Sequence, residues 1–104
     1  MIKNFKTYIG NDFGFAFELT SLDSIDNAAF AVRETIMDVE PVIFKTIEDM
    51  TKIEDNKYLV TVSADETDEL MPLNYIYGLQ ISHGGKVKTV LEGKLLVDID
   101  PARS

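Results

Sequence analysis

Ser63 to Ile81 reads SADETDELMPLNYIYGLQI, and this stretch decides the fold. Ser63 followed three residues later by Glu66 matches a capping box, and Asp65, Glu66 and Asp68 suit the positive end of a short helical turn over about residues 64–70. Pro72 stops that turn. A tyrosine, Tyr75, stands just past the Leu70-Met71-Pro72 corner and begins a segment in which Tyr75, Tyr77, Leu79 and Ile81 alternate with other residues. A helical turn running into a strand that opens on tyrosine is the requirement of a tyrosine corner. In Greek-key sandwiches the phenol hydroxyl of that corner bonds backbone a few residues upstream and ties the crossover between two sheets. The stretch therefore predicts a change of sheet.

The same period of two runs outward through the chain. In FGFAFEL, Phe13, Phe15, Phe17 and Leu19 share one face while Gly14, Ala16 and Glu18 take the other. AFAVRE, VIFKTI and KYLVTV repeat the pattern with Phe30 and Val32, with Ile43 beside Lys45, and with Tyr58, Val60 and Val62. Adding IKNFKTYI at the start and KVKTVLEGKLLVDI at the end gives about seven strands and no long amphipathic helix. Turn-forming clusters separate them at Gly10–Asp12, Asp23–Asn27, Asp38–Pro41, Glu54–Asn56, Met71–Asn74 and His83–Gly85. The pattern predicts an all-β, antiparallel Greek-key sandwich. The final segment is too long for one flat strand, and Gly93 is the natural place for a bend or bulge.

Composition bounds the rest. The 104 residues, 45 % of them hydrophobic and including six Phe and four Tyr, suffice for one packed domain spanning residues 1–104. No apolar run reaches the roughly 20 residues of a bilayer span, and MIKNFKTYIG lacks the apolar centre of a secretion signal, so a soluble, unprocessed chain is expected. The absence of Cys excludes a disulfide framework and thiolate metal sites, which fits an intracellular place of synthesis. A net charge of -8 makes nucleic acid and anionic membrane poor partners.

Certain runs point further. From Phe13 to Ile99 the chain resembles the immunoglobulin-like N-terminal domain of phage baseplate upper proteins. The likeness is carried most specifically by ADETDEL followed by Tyr75-x-Tyr77-x-Leu79, and by Thr89-Val-Leu-Glu-Gly93. The resemblance implies an immunoglobulin-like sandwich and a non-enzymatic virion structural protein of the phage or prophage tail. It would dock on other baseplate or tail proteins, and could form a homo-oligomer. Members of that family commonly continue into a longer chain, so this sequence is expected to be either a small virion protein or an excised N-terminal domain. In antibody domains a core cysteine follows the corner tyrosine by two residues, and Tyr77 holds that place here. Aromatic packing must then replace the disulfide.

Other chemistries have weaker support. Asp65, Glu66, Asp68 and Glu69, or Asp23 and Asp26 with Asn27, are hard-oxygen ligands for calcium, but they lack the spacing and glycine of a calcium loop. Capping and turn formation explain them without a metal. His83 opens a His-Gly-Gly turn with no sequence partner for catalysis, and Gly84 and Gly85 suit positive φ. Glu48 with Asp49, or Asp38 with Glu40, are neighbours in loops, whereas a glycosidase holds its two carboxyls across a cleft. No catalytic residue, metal or cofactor is therefore expected. The alternative to a docking module is a carbohydrate- or host-surface-binding sandwich that uses Tyr8, Phe44 and Tyr58 as a stacking platform, although rows at this period more often form core. Lys86, Lys88 and Lys94 suit charges that keep a sheet edge from pairing.

Overall fold

The computed structural model describes residues 2–19, 25–35, 40–54, 57–99 and 101–102. Eight strands are present among them: β1 (Phe5–Tyr8), β2 (Phe13–Glu18), β3 (Asn27–Arg33), β4 (Ile43–Thr46), β5 (Thr51–Glu54), β6 (Lys57–Val62), β7 (Leu73–His83) and β8 (Lys86–Asp98). A five-stranded sheet runs β1-β8-β7-β3-β4 and a three-stranded sheet runs β2-β6-β5. All neighbours are antiparallel except β1, which lies parallel to β8. The links β1 to β2, β2 to β3, β4 to β5 and β6 to β7 each change sheet, which gives an immunoglobulin-like sandwich with the helix α1 (Ala64–Asp68) on the last of these crossings.

Two details differ from the sequence reading. The eighth strand, β5, comes from Thr51-Lys-Ile-Glu54, a stretch read as loop. All four of its residues are exposed, so no face is buried to impose the alternation by which strands are recognised. The irregularity in β8 also falls elsewhere: Leu79 pairs with Leu91 and Gln80 with Thr89, so the bulged residue is Val90, while Gly93 pairs in regular register with Tyr77. Three of the expected turns include residues outside those described, namely parts of Asp23–Asn27, Asp38–Pro41 and Glu54–Asn56.

The alternating rows meet between the sheets. Phe17 of β2 stacks on Tyr58 of β6 at 5.6 Å, and both are buried. Phe15 of β2 reaches across to Phe30 of β3 at 5.3 Å and to Tyr77 of β7 at 6.5 Å, with Phe30 and Tyr77 themselves 5.8 Å apart. Antibody domains bridge the second and sixth canonical strands by a disulfide and pack a tryptophan from the third against it. The corresponding strands here are β2, β7 and β3, and three aromatic rings take those places. Edge-to-face and tilted contacts of this kind add about 0.5–1.5 kcal/mol per pair to the burial of the rings themselves.

Phe30, 1 % exposed at the centre of that trio, should therefore be costly to truncate. Phe30→Ala is expected to lower stability by about 3–5 kcal/mol in a denaturant melt. Phe44→Ala, on a ring 53 % exposed, should stay within about 0.5 kcal/mol of wild type.

Candidate interaction surface

The acid-rich crossing is fastened on all sides by its own side chains. The Ser63 hydroxyl accepts from the Glu66 N–H at 3.2 Å and the Glu66 carboxylate accepts from the Ser63 N–H at 3.0 Å. Glu66 also receives the Lys45 ammonium of β4 at 2.7 and 2.8 Å, and that ammonium is the main reason its carboxyl is held below the usual carboxylate range. Asp12 accepts from the Ala64 N–H at 2.7 Å. Thr67, 1 % exposed, accepts from the Gly10 N–H at 3.1 Å and lies 2.8 Å from the Asn11 carbonyl. Sequence reasoning missed Thr67, because a hydroxyl among four acids carries no pattern of its own. The acids thus bond α1 to the β1–β2 turn and to the edge of the opposite sheet, and Asp65, Asp68 and Glu69 face outward.

Beyond the turn, Tyr75 is 1 % exposed. Its hydroxyl donates to the Met71 carbonyl at 3.0 Å and accepts from the Met71 N–H at 3.1 Å, closing a loop around Pro72. Leu70 is half-buried against the core. Burial pushes the Tyr75 phenol upward, offset in part by the Met71 backbone.

Tyr77 and Gly93, cross-strand partners, form a second device. The Tyr77 hydroxyl donates to the Lys3 carbonyl. A Cβ on Gly93 would collide with that same carbonyl oxygen, so only glycine lets the incoming chain cross here. The parallel register of β1 on β8 continues through the Ile2–Glu92 bridge, and between the two the Asn4 side chain accepts from the Lys94 N–H at 3.0 Å. Lys94 is consequently not at an edge, whereas Lys86 and Lys88 are exposed beyond the reach of β1. Thr89 is exposed next to the Val90 bulge.

The remaining candidate residues do not assemble into a site. Tyr58 is buried in the core while Phe44 stands on the outer face of the larger sheet, so the stacking platform with Tyr8 is not formed. His83 closes β7 opposite Lys86, exposed, ahead of Gly84 and Gly85 at φ 59° and 79°. Asp26 accepts from the Gly84 N–H at 3.0 Å. Glu48 and Asp49 lie in a single 3-10 turn, Ile47–Asp49, where Asp49 accepts from the Thr46 N–H at 3.0 Å. Glu40 is exposed, and Asp23 and Asp38 lie outside the described residues. Among the described residues no three of His, Asp and Glu converge as metal ligands.

What the structure does present is a trough on the outer face of the five-stranded sheet, about 650 Å³ in volume. Cross-strand pairing makes one row from Phe44 to Ala31, Gly78, Glu92 and Ile2, running from β4 to the chain preceding β1. The middle of that row is small and its ends are large, and Ala29 beside it is small as well. A neighbouring row of Arg33, Ile76 and Lys94 forms one bank. Gly78 is the informative member. Its φ is not positive, and a Cβ there would meet nothing within 4 Å, so neither backbone conformation nor crowding demands glycine. Mid-strand glycine weakens a strand, yet here it keeps the floor of the trough open.

No family model matches the sequence, and no curated protein does. Among solved structures, the chain is similar to the extracellular fragment, including the stalk region, of novel immune-type receptor 11 from Ictalurus punctatus. That match has 13 % identity and a TM-score of 0.49, covering 99 % of this chain and 86 % of that one. Likeness at this level adds nothing to the strand order, on which the fold assignment rests.

Two outcomes test the tyrosines. Tyr75→Phe should cost about 1–3 kcal/mol by leaving Met71 without its partner, read as a shift in the denaturation midpoint. Burial pushes the Tyr77 phenol up to about 12. Its contribution to stability is thus complete below pH 10 and is lost as pH rises from there through about 12. Tyr77→Phe should visibly flatten that alkaline loss, and a Tyr75→Phe/Tyr77→Phe double variant should flatten it further. An unchanged alkaline limb in both would mean that the phenols do not govern it.

Proposed function

We propose that this chain is a non-enzymatic protein-docking module that works through the trough on its five-stranded sheet. The observation that carries the reading is Gly78, a glycine without a folding reason at the centre of an exposed concave face. The trough offers exposed Phe44 and Ile2 as apolar contacts on either side of a small-residue floor, the arrangement in which a partner's side chain becomes fully desolvated. Its charged residues are Arg33 and Lys94 against Glu92, a local balance opposite in sign to the net charge of -8. An acidic partner surface with an apolar knob is the complement.

The setting we propose is the phage or prophage virion, where the module joins other baseplate or tail proteins. This rests on the resemblance carried by ADETDEL, Tyr75-x-Tyr77-x-Leu79 and Thr89 to Gly93. The crossing and Gly93 motifs all serve the sandwich itself, so the docking chemistry must come from the outward residues between them.

Gly78→Leu is the sharpest test, because its Cβ meets nothing within 4 Å, its side chain enters the trough, and leucine favours the strand over glycine. Particles purified from an induced lysogen that carries the wild-type gene should contain the tryptic peptide YLVTVSADETDELMPLNYIYGLQISHGGK in stoichiometric amounts by mass spectrometry. Particles from the Gly78→Leu lysogen should lack the corresponding peptide carrying Leu at position 78, YLVTVSADETDELMPLNYIYLLQISHGGK, which should remain detectable in the lysate, while the isolated variant keeps the wild-type melting temperature. Absence of the wild-type peptide from intact particles would sink the virion setting, and full incorporation of Gly78→Leu would sink the trough as the docking face.

A further inference from the structure

We propose that the open edge of β2 is a second, independent site, an acceptor for an extended partner segment that pairs as a fourth strand of the smaller sheet. The segment would carry apolar side chains at alternate positions and basic residues at its two ends.

The vacancy follows from where β1 goes. In constant-type immunoglobulin sandwiches the sheet containing the second strand has four strands, with the first strand at its side. Here β1 pairs with β8 in the other sheet, and among the described residues β2 has β6 on one side and no strand on the other. Alternate residues of its six then present about three N–H and three C=O groups outward, a template for strand addition.

The other three sheet edges each carry a device against such pairing. β4 is four residues long, follows Pro41 closely, and turns Lys45 inward onto Glu66. β5 is four residues long, carries Lys52 and Glu54, and is bulged between them. β1 is also four residues long and carries exposed Lys6. β2 is longer, runs in unbroken register against β6, and is apolar or small from Phe13 to Phe17. Among the described residues none of the usual protections is present along that run.

A groove of about 260 Å³ accompanies this edge, its lining drawn from β2 and the residue after it (Phe15, Leu19), from β1 and the chain before it (Lys3, Phe5) and from β8 (Val90, Leu91). Side chains of an added strand that point toward the core would enter it, which requires them to be apolar at every second position. Those pointing away would lie beside Gly14 and Ala16, which leave room. Charge selects the ends of the segment. Asp12 and Glu18 bracket the edge in a chain of net charge -8, so basic flanks complement it. A second copy of this chain would instead bring another eight negative charges against the same edge.

The probe is the capped peptide KVTVTVK, titrated into the full, isotopically labelled chain and followed by amide chemical shifts and hydrogen exchange. Shifts and slowed exchange should concentrate at residues 13–18, with perturbation at Lys3 and Val90. The peptide KVVTTVK, of the same composition without the alternation, should bind at least about tenfold more weakly. Ala16→Lys places a charge at an exposed mid-edge position and should weaken KVTVTVK by a similar factor at unchanged melting temperature. No response at millimolar peptide, or a response centred on β4, β5 or the trough, would overturn the assignment. So would sedimentation showing a wild-type dimer that Ala16→Lys dissociates, which would make a second copy the occupant. Gly78→Leu leaves β2 untouched, so failure of the trough and failure of this edge are separately readable.

Discussion

Contact between the rings of Phe15, Phe30 and Tyr77 holds the two sheets to one another, and the rest of the structure is arranged around it. A chain without cysteine has no covalent bond to restrict its unfolded state, so the whole of the inter-sheet attraction must come from buried area and ring geometry. That constraint explains the density of aromatics on β2, where Phe13, Phe15 and Phe17 occupy successive inward positions. It also explains Gly93. Tyr77 brings a polar hydroxyl into the core, its partner is the Lys3 carbonyl, and only a residue without Cβ lets Lys3 come near enough.

The sheet crossing at α1 follows a different logic. There the chain carries four acids near a helix start, where a carboxylate can cap the turn or pair outside it. Glu66 does both, accepting from the Ser63 N–H and from Lys45, so one carboxylate couples the crossing to the far edge of the larger sheet. Lys45 thereby serves a second purpose as an inward-pointing charge on an edge strand. Stability and protection from stray pairing come from the same ion pair. Tyr75 completes the crossing by holding both polar groups of Met71, which fixes the path of the chain where Pro72 has removed a donor.

With the interior devoted to these fastenings, the surfaces that remain for partners are those the fold leaves open. The outer face of the larger sheet is concave because small residues on β3 and β7 lie between larger ones on β4 and at the chain start. Among the described residues the β2 edge is open because the first strand is committed to β8. Both features arise from relations between strands distant in sequence, and no cluster of metal ligands stands at either among the described residues.

Period-two alternation was enough to reveal the strands with a buried face, because each residue's burial repeats every second position and is written locally. The corner was legible for the same reason: the bonds between Ser63 and Glu66 and between Tyr75 and Met71 join groups no more than four residues apart. β5 was not legible, since a strand exposed on both faces has no alternation to show. Gly93 drew notice as a break in a long strand, but its reason, the Lys3 carbonyl ninety residues earlier, is invisible without the pairing of β1 on β8. The sequence by itself determined the sandwich class and the place of the sheet crossing. Only the tertiary structure decided which sheet β1 joins, which residues stand in one row across four strands, and which edge is left bare. Those are matters of register and proximity between segments far apart in the chain, and no local pattern encodes them.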